Sequence, residues 1–225
     1  MPETAVPAPC IGGLVPFSTV DWPGKLAAVV FVAGCPWRCH YCHNPALQER
    51  RPLIEWEQVH GLLARRQGLL DAVVFSGGEP CSDGTLPKMI DAVRALGFKV
   101  GLHTAGIYPR QLQGLLDRLD WVGLDVKALP AGYAALTGRR YSSAPVWTSL
   151  ELLLNWGGDF ECRTTWSPDW LTEDELLDLA QELARRGVQN YAVQGYREGA
   201  VAVTEMPSMA TQEGLRRLFP TWQWR

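Results

Sequence analysis

Six short apolar segments, each about the length of a β-strand, alternate along this chain with segments of helical periodicity. Most of them are nearly continuous in apolar character, as expected for strands that are buried on both faces of a parallel sheet. The alternation therefore predicts an α/β domain with a parallel sheet. The predicted strands are Leu26–Ala33, Ala72–Phe75, Phe98–His103, Trp121–Val126, Phe160–Thr165 and Tyr191–Gln194.

Helices are predicted between these strands because apolar residues recur there on one face. Thr172 and Glu175 form a capping-box pattern, and Gly187 ends the helix that they open. Six strand–helix units are too few for an eight-stranded barrel, so a partial open barrel and a doubly wound sheet both fit. In either fold, chemistry is expected at the C-terminal ends of the strands. The other predicted helices are Glu55–Arg66, Thr85–Leu96, one that begins at Pro109 and carries Leu112, Leu115, Leu116 and Leu119, Pro145–Trp156 and Thr211–Phe219.

Length and composition indicate one folded domain and exclude several function classes. We expect an N-terminal arm over residues 1–20 and one domain over residues 21–225. The net charge of −3 lacks the basic footprint of a nucleic-acid-binding protein. The longest apolar run is strand-sized, which predicts no membrane span, and the first ten residues do not resemble a signal peptide. We therefore expect a cytoplasmic protein in a reducing compartment, where cysteines more often serve metals or catalysis than disulfides.

Three of the six cysteines crowd into one short segment directly after the first predicted strand. Cys35, Cys39 and Cys42 have the spacing C-x3-C-x2-C, which allows three thiolates to converge on one centre. Soft thiolates suit an iron–sulfur cluster or zinc. A 4Fe–4S cluster with only three cysteines keeps one iron open for a substrate. The competing interpretation is structural zinc with His40 or His43 as the fourth ligand.

The other cysteines, Cys10, Cys81 and Cys162, are scattered along the chain. Solitary cysteines usually pack as small apolar residues, and we expect no metal role for them. They cannot supply the ligands of an additional pair of ferredoxin clusters.

The cysteine motif, with Tyr41 before its last cysteine, resembles the signature of the radical S-adenosylmethionine superfamily. The resemblance implies a partial (β/α)6 open TIM-like barrel, in which Cys35, Cys39 and Cys42 hold the catalytic 4Fe–4S cluster. It further implies that the methionine part of S-adenosylmethionine chelates the open iron. Reductive cleavage of the sulfonium then releases a 5′-deoxyadenosyl radical, which abstracts a hydrogen atom.

Polar residues end the predicted strands, where this resemblance implies contacts with S-adenosylmethionine. Gly77-Gly78-Glu79 could be an ordinary turn, but the superfamily uses this stretch near the methionine amino group. Asp125 and Lys127 share one face of a strand; they could form a simple salt bridge, and the resemblance instead implies cofactor contact. The implied cofactor-binding residues are Tyr41, Gly77, Gly78, Glu79, Thr104, Asp125, Lys127, Arg163, Thr165 and Gln194.

Two of these assignments have strong structural alternatives. The guanidinium group of Arg163 can bind a carboxylate through two parallel N–H donors, which fits a contact with the cofactor. The other interpretation is a structural ion pair. Gln194 is the weakest of these assignments, because a structural role explains this residue equally well. Before Thr104, where related activating enzymes often carry an acidic residue, this chain has His103. A lone histidine is as often structural as functional, so a carboxylate role is not transferred to it.

The Ser18–Gly24 segment and the residues after the third cysteine resemble the activating enzymes of glycyl-radical proteins. Asp21, His43 and Asn44 would then lie on the side where the substrate enters. The whole chain resembles the activating enzymes of anaerobic ribonucleotide reductases. This resemblance implies two partners, an anaerobic ribonucleotide reductase and a flavodoxin- or ferredoxin-like electron donor. The alternatives are another glycyl-radical enzyme as target, a small-molecule substrate, or a non-catalytic zinc-binding interaction module.

Overall fold

The structure is a computed structural model that describes residues 8–198 and 201–225. The chain divides into two units. The predicted N-terminal arm begins outside the described residues, and its boundary at residue 20 stays a prediction. The first unit contains the described residues up to 36 together with 44–104 and 110–121, and the second contains 37–43, 105–109 and the described residues from 122 to 225.

Four strands of the first unit follow one another in a sheet. They are β1 (Ile11–Ser18), β2 (Ala27–Val32), β3 (Ala72–Gly77) and β4 (Lys99–Thr104). β1 is antiparallel to β2, whereas β2 is parallel to β3 and β3 to β4. The three parallel strands confirm the predicted ones to within one or two residues. β1 was not predicted, because its two glycines and its proline are typical of a loop; Gly12 and Pro16 lie at its two register shifts.

The helices of the first unit are α1 (Trp56–Ala64), α2 (Leu86–Ala95) and α3 (Pro109–Gln113). The first two confirm their predictions within the usual uncertainty at helix ends. The third is shorter than predicted: it ends before Gly114, and a 3-10 turn over Leu116–Arg118 follows. A glycine inside a helix is unfavourable by about 1 kcal/mol relative to alanine, which is consistent with this early end.

Six strands belong to the second unit. They are β5 (Trp121–Asp125), β6 (Asp159–Trp166), β7 (Asn190–Gly195), β8 (Arg197–Glu198), β9 (Val201–Ala202) and β10 (Thr221–Trp224). β5, β6, β7 and β10 are neighbours in that order, and β7 is parallel to both β6 and β10. β8 and β9 form a separate antiparallel pair. β10 was not predicted, because a four-residue Thr-Trp-Gln-Trp segment is too short to show a periodicity.

The helices of the second unit are α4 (Tyr133–Thr137), α5 (Ser143–Trp156), α6 (Glu173–Arg186) and α7 (Met209–Leu218). The capping box at Thr172 and Glu175 is present in full, and Gly187 ends α6 in the left-handed conformation. α4 was missed because only five residues form it. The predicted α/β fold with a parallel sheet is confirmed, and it is consistent with a partial TIM-like barrel. Among the described residues, no helix combines the length and the apolar character needed to cross a bilayer.

Candidate active site

The three motif cysteines differ from the other three in exposure. Cys35, Cys39 and Cys42 are partly exposed and form no disulfide, whereas Cys10, Cys81 and Cys162 are buried. Cys35 belongs to the first unit; Cys39 and Cys42 belong to the second, where the Cys42 N–H donates to the Cys39 carbonyl at 3.2 Å. The turn that this bond closes keeps the last two cysteines close together in the backbone.

Burial controls the thiol chemistry of the scattered cysteines. It raises the pKa of Cys81 and Cys162 well above the ordinary value, so both remain protonated and unreactive. Burial also raises the pKa of Cys39, although the nearby Lys127 ammonium opposes the increase. A metal that bound Cys39 would therefore displace a proton.

The donor chemistry of the motif fits a thiolate-bound cluster, since three accessible thiols occur within eight residues. Within the part of the chain that the structure describes, no three His, Cys, Asp or Glu side chains are already arranged around a metal position. The assignment of the three cysteines as ligands therefore depends on their spacing and stays a prediction.

Gly77 and Gly78 lie where the backbone leaves β3. Gly77 has φ = 126°, and a Cβ there would lie 2.3 Å from the carbonyl oxygen of Val32. A Cβ on Gly78 would lie 2.6 Å from the carbonyl oxygens of Gly34 and Leu47. Both glycines are therefore required by packing of this turn against other main chain. The contact of this stretch with the methionine amino group, which the resemblance implies, stays a prediction.

Glu79 follows these glycines and is fully buried. Its carboxylate accepts hydrogen bonds from the Cys81 N–H at 3.1 Å and from the Thr104 hydroxyl at 2.8 Å. The structure thus brings Glu79 together with Thr104, another predicted cofactor residue, at the ends of β3 and β4. Buried carboxylates of this kind are stable only with such donors.

His103 is held by hydrogen bonds on both sides of its ring. Its Nδ1 lies 3.2 Å from the Ser76 hydroxyl and its Nε2 lies 2.7 Å from the Asp21 carbonyl oxygen. The ring also packs edge-on against Trp121. These contacts support the structural interpretation of His103, and they bring the main chain of Asp21 to the end of β4.

In the second unit, Asp125 and Arg163 form an ion pair between neighbouring strands. The Arg163 Nε and Nη2 atoms both donate to Asp125 Oδ1, at 3.0 and 2.7 Å. Arg163 is only 7% exposed at its side chain, whereas Asp125 is 33% exposed. The geometry fits the structural ion pair that the sequence left open for Arg163. Its role toward a cofactor stays a prediction.

Lys127 extends this pair into a cluster. Its Nζ lies 3.9 Å from Asp125 Oδ2 and 5.4 Å from the centre of the Tyr41 ring. Although burial lowers the pKa of Lys127, the neighbouring Tyr41 and Asp125 raise it more, so the net shift is upward and the ammonium stays charged. The Lys127 N–H also donates to the Tyr133 hydroxyl at 3.0 Å. Tyr133 was not predicted, because its helix carries no recognisable motif.

Tyr41 is the aromatic residue of the cysteine motif and is almost completely buried. Its ring stacks on Trp170, with ring centres 5.0 Å apart and an interplanar angle of 9°, and His40 packs edge-on against both. Its hydroxyl is buried without a hydrogen-bond partner among the described residues. Trp170 was another residue that the sequence did not single out.

Further polar residues of β6 and β7 lie on the same face as Arg163. Thr165 follows it by two positions and pairs in register with Gln194, so these predicted residues share one side of the sheet. Glu161 lies two positions before Arg163 and is almost fully buried. Its carboxylate binds Arg225, with Nη1 and Nη2 at 2.9 and 2.7 Å. Neither Glu161 nor Arg225 was predicted.

The predicted substrate-side residues after the third cysteine fall in different units. His43, in the second unit, stacks on Tyr196 and accepts a 3.4 Å hydrogen bond from the Arg197 N–H. Burial lowers the pKa of His43, which favours the neutral ring. Asn44, in the first unit, accepts the Leu47 N–H at its carbonyl and starts a 3-10 turn. Their proposed role toward a substrate stays a prediction.

Comparison with known proteins identifies relatives over most of the chain. The family model described as the Radical SAM superfamily matches residues 29–165. A protein of Methanocaldococcus jannaschii, provisionally named a glycyl-radical enzyme activating enzyme, is 31% identical over 204 residues, which cover 83% of this chain and 79% of that protein. The PqqA peptide cyclase of Xanthomonas campestris is 36% identical over 118 residues, covering 48% of this chain and 30% of the cyclase.

The fold is similar to a solved structure of Streptococcus suis SuiB bound to the precursor peptide SuiA. The TM-score is 0.68 at 14% identity, and the match covers 88% of this chain and 48% of SuiB. SuiB bound to S-adenosylmethionine matches with a TM-score of 0.61. The chain thus spans about half the length of SuiB and less than a third of the peptide cyclase.

Proposed function

Because this chain belongs to the radical S-adenosylmethionine superfamily, we propose that it is an activase that generates a glycyl radical on an anaerobic ribonucleotide reductase. The observation that carries the proposal is the extent of the match with the archaeal relative named as a glycyl-radical enzyme activating enzyme, which covers most of both chains. The cofactors of the superfamily are a 4Fe–4S cluster and S-adenosylmethionine. When bound and reduced, they supply the 5′-deoxyadenosyl radical that abstracts a hydrogen atom.

The residues of this chain would bind and orient the cofactor. Cys35, Cys39 and Cys42 would hold three irons of the cluster as thiolates. Asp125, Lys127 and Arg163 together carry two cationic groups and one anionic group, so their cluster suits the carboxylate of the methionine part. The fully buried Glu79 suits its amino group.

The remaining proposed residues would complete the cofactor site and the substrate entrance. Tyr41, packed on Trp170, would shield the cofactor from water with its buried ring. Asp21, His43 and Asn44 would meet the partner. The proposed cofactor-lining residues, apart from those already named, are Gly77, Gly78, Thr104, Thr165 and Gln194.

The test begins with anaerobically reconstituted protein, dithionite and S-adenosylmethionine. We expect about four irons per chain and formation of 5′-deoxyadenosine, both of which C39A should abolish. The matched control is C162A, which removes a buried cysteine outside the motif and should leave the iron content unchanged. A colourless protein that binds zinc in place of iron and sulfide would contradict the assignment and support the zinc-binding module.

The second stage adds the candidate anaerobic ribonucleotide reductase and records the electron paramagnetic resonance spectrum. We expect a glycyl radical that depends on both proteins. If 5′-deoxyadenosine forms but this reductase gains no radical, the result contradicts the reductase as target and still supports cleavage of S-adenosylmethionine by this protein.

A second candidate function is radical modification of a peptide. The 36% identity over 118 residues with a peptide cyclase favours it. It predicts 5′-deoxyadenosine formation stimulated by a peptide substrate, with a change in the mass of the peptide and no stable radical on a partner protein.

A further inference from the structure

The segment between β1 and β2 is anchored to one face of β4. Gly101 and His103 share that face because they are two positions apart on a strand. A Cβ on Gly101 would lie 2.9 Å from the Trp22 ring, so the missing side chain makes room for this ring. The His103 ring lies 2.7 Å from the carbonyl oxygen of the adjacent Asp21. One face of β4 thus contacts two neighbouring residues of the segment.

Trp121 packs against both parts of this anchor. Its ring stacks on Trp22, with ring centres 5.5 Å apart and an interplanar angle of 18°, and it meets the His103 ring edge-on at 5.6 Å. All three side chains are buried. Because close packing restricts side-chain rotation, the two nitrogens of the His103 ring have defined positions.

The hydrogen bonds of His103 identify the nitrogen that carries a proton. A carbonyl oxygen can only accept, so Nε2 supplies the hydrogen of the bond to Asp21. In the neutral ring Nδ1 is then an acceptor, and the Ser76 hydroxyl, 3.2 Å away, can donate to it. An ionised aspartate or glutamate could not replace this histidine, since a carboxylate has no hydrogen to donate. The contact with Asp21 therefore requires a donor at position 103.

The Ser18 hydroxyl organises the tip of the segment. It accepts the N–H groups of Val20 and Asp21 at 3.2 and 3.4 Å, and it donates to the Asp21 carboxylate. Val20 is 68% exposed, and Asp21 is partly exposed. Since these bonds join the residues of the tip, a displacement of the Asp21 main chain would also move Val20.

The last two residues of β4 bind different parts of the first unit. The Thr104 hydroxyl donates to Glu79, a proposed cofactor residue, whereas His103 holds Asp21, a proposed substrate-side residue. We propose, on the basis of the proposed function, that His103 is a positioning residue that orients Asp21 and Val20 for contact with the target polypeptide. It acts through the Asp21 carbonyl and takes no part in the radical chemistry.

Two amide substitutions separate the contributions of the two ring nitrogens. The amide nitrogen of glutamine reaches about as far from the backbone as Nε2, so H103Q keeps a donor for Asp21. The asparagine amide reaches only as far as Nδ1, so H103N keeps a polar group near Ser76 and loses the contact with Asp21. The matched controls are H60Q and H60N in α1, where His60 packs on Trp56.

The assay varies the concentration of the anaerobic ribonucleotide reductase and follows the glycyl radical by electron paramagnetic resonance. It uses reconstituted enzyme, S-adenosylmethionine and dithionite. We expect H103N to need about fivefold more reductase for the half-maximal rate, as expected for the loss of one hydrogen bond that orders the binding residues. Its maximal rate should change less than this. H103Q and both His60 variants should need the same reductase concentration as wild type.

Hydrogen exchange gives a second measurement, which does not depend on activity. The amides of the Ser18–Gly24 segment should exchange faster in H103N than in H103Q, because only H103N loses the bond between Asp21 and β4. If H103N does not fold, V20D tests the same contact from an exposed position and should also raise the reductase concentration required. An unchanged requirement in V20D would contradict contact of the tip with the target.

Three outcomes would overturn the positioning role of His103. One is an equal reductase requirement for H103N and H103Q, and another is equal exchange of the segment in both variants. The third is a loss of S-adenosylmethionine affinity in H103N as large as its increase in reductase requirement, which would assign His103 to the cofactor site. A wild type that forms no glycyl radical on the reductase contradicts the proposed function, and the positioning role toward that target fails with it. The two kinds of failure are distinguishable, because this last one is seen in wild type alone.

Discussion

The two units hold the carboxylates of their candidate sites by different means. In the first unit, Glu79 accepts hydrogen bonds from a nearby main-chain N–H and from the Thr104 hydroxyl. In the second unit, Asp125 pairs with Arg163, which lies 38 positions further along the chain, and with Lys127. The donors described for Glu79 are uncharged, one from the main chain of its own turn and one from a hydroxyl of β4. The donors described for Asp125 are two cationic side chains, and one of them comes from the neighbouring strand.

A second example in each unit shows the same contrast. Asp83 accepts hydrogen bonds from the N–H and the hydroxyl of Thr85, only two positions away, and its further partners are Arg50 and the Cys10 N–H. Glu161 instead binds Arg225, 64 positions away. We therefore expect backbone changes to damage the first unit most, and side-chain charge changes to damage the second.

The largest effect is expected from a backbone change next to Glu79. G77A places a Cβ 2.3 Å from the Val32 carbonyl at a φ of 126°, and it should destabilise the protein by about 3 kcal/mol or more. The control is G84A, where a Cβ would have no atom within 4 Å. Urea unfolding measures both. If G77A is as stable as G84A, the turn after β3 does not depend on local backbone geometry.

The next largest effect is expected for the ion pair between Glu161 and Arg225. R225Q leaves the Glu161 carboxylate buried without its guanidinium and should cost about 2–3 kcal/mol of unfolding free energy. The double variant E161Q/R225Q should cost clearly less than the sum of the two single changes, with a coupling of about 1–3 kcal/mol. If the costs of the two single changes add in this double-mutant cycle, the ion pair between Glu161 and Arg225 does not stabilise the fold.

Acid unfolding tests the locally held carboxylate of Asp83. Burial raises its pKa, but the hydrogen bonds from Thr85 and Cys10 lower it more, and the net shift is downward. A lowered folded-state pKa means that Asp83 adds stability above its ordinary value of 3.8, and that this stability is lost as the pH falls through the folded-state value. Wild type should therefore lose more stability than D83N between pH 7 and pH 3 in urea unfolding. Equal losses would show that folding does not lower the pKa of Asp83.

The contrast between the units also explains how much the sequence could predict. Most of the six predicted strands were recognisable because strands that are buried on both faces are nearly continuous in apolar character, and the polar residues at their ends differed from that background. Asp125, Lys127 and Arg163 were therefore recognised from the sequence as candidate site residues. A salt bridge between Asp125 and Lys127 was one of the alternatives, but the pairing of Asp125 with Arg163 was not foreseen, since it depends on which strands become neighbours.

The missed features share a physical cause. β1 contains glycine and proline, β10 has only four residues, and both are specified by pairing with a neighbouring strand. Tyr133 and Arg225 become informative only when the fold brings them to Lys127 and Glu161.

The smallest effects come from one hydroxyl on each of two tyrosines around Lys127. Tyr133 accepts the Lys127 N–H, whereas the Tyr41 hydroxyl is buried without a partner among the described residues. Y133F leaves a buried N–H unsatisfied and should cost about 1–2 kcal/mol. Y41F removes a buried hydroxyl that has no hydrogen-bond partner among the described residues, and it should change the unfolding free energy by less than about 0.5 kcal/mol or stabilise the protein.

The two variants are matched controls for each other, because each removes a single oxygen from a buried ring beside the same lysine. Urea unfolding of the protein without its cofactors gives the comparison. Equal costs for Y133F and Y41F would mean that the Tyr41 hydroxyl has a partner of its own in solution. If Y41F is neutral without cofactors yet weakens S-adenosylmethionine binding to the reconstituted enzyme, the hydroxyl acquires its partner only when the cofactor site is filled. In that case the Tyr41 hydroxyl of the second unit forms its hydrogen bond only when the ligand is bound, whereas Glu79 of the first unit already accepts hydrogen bonds from the protein without it.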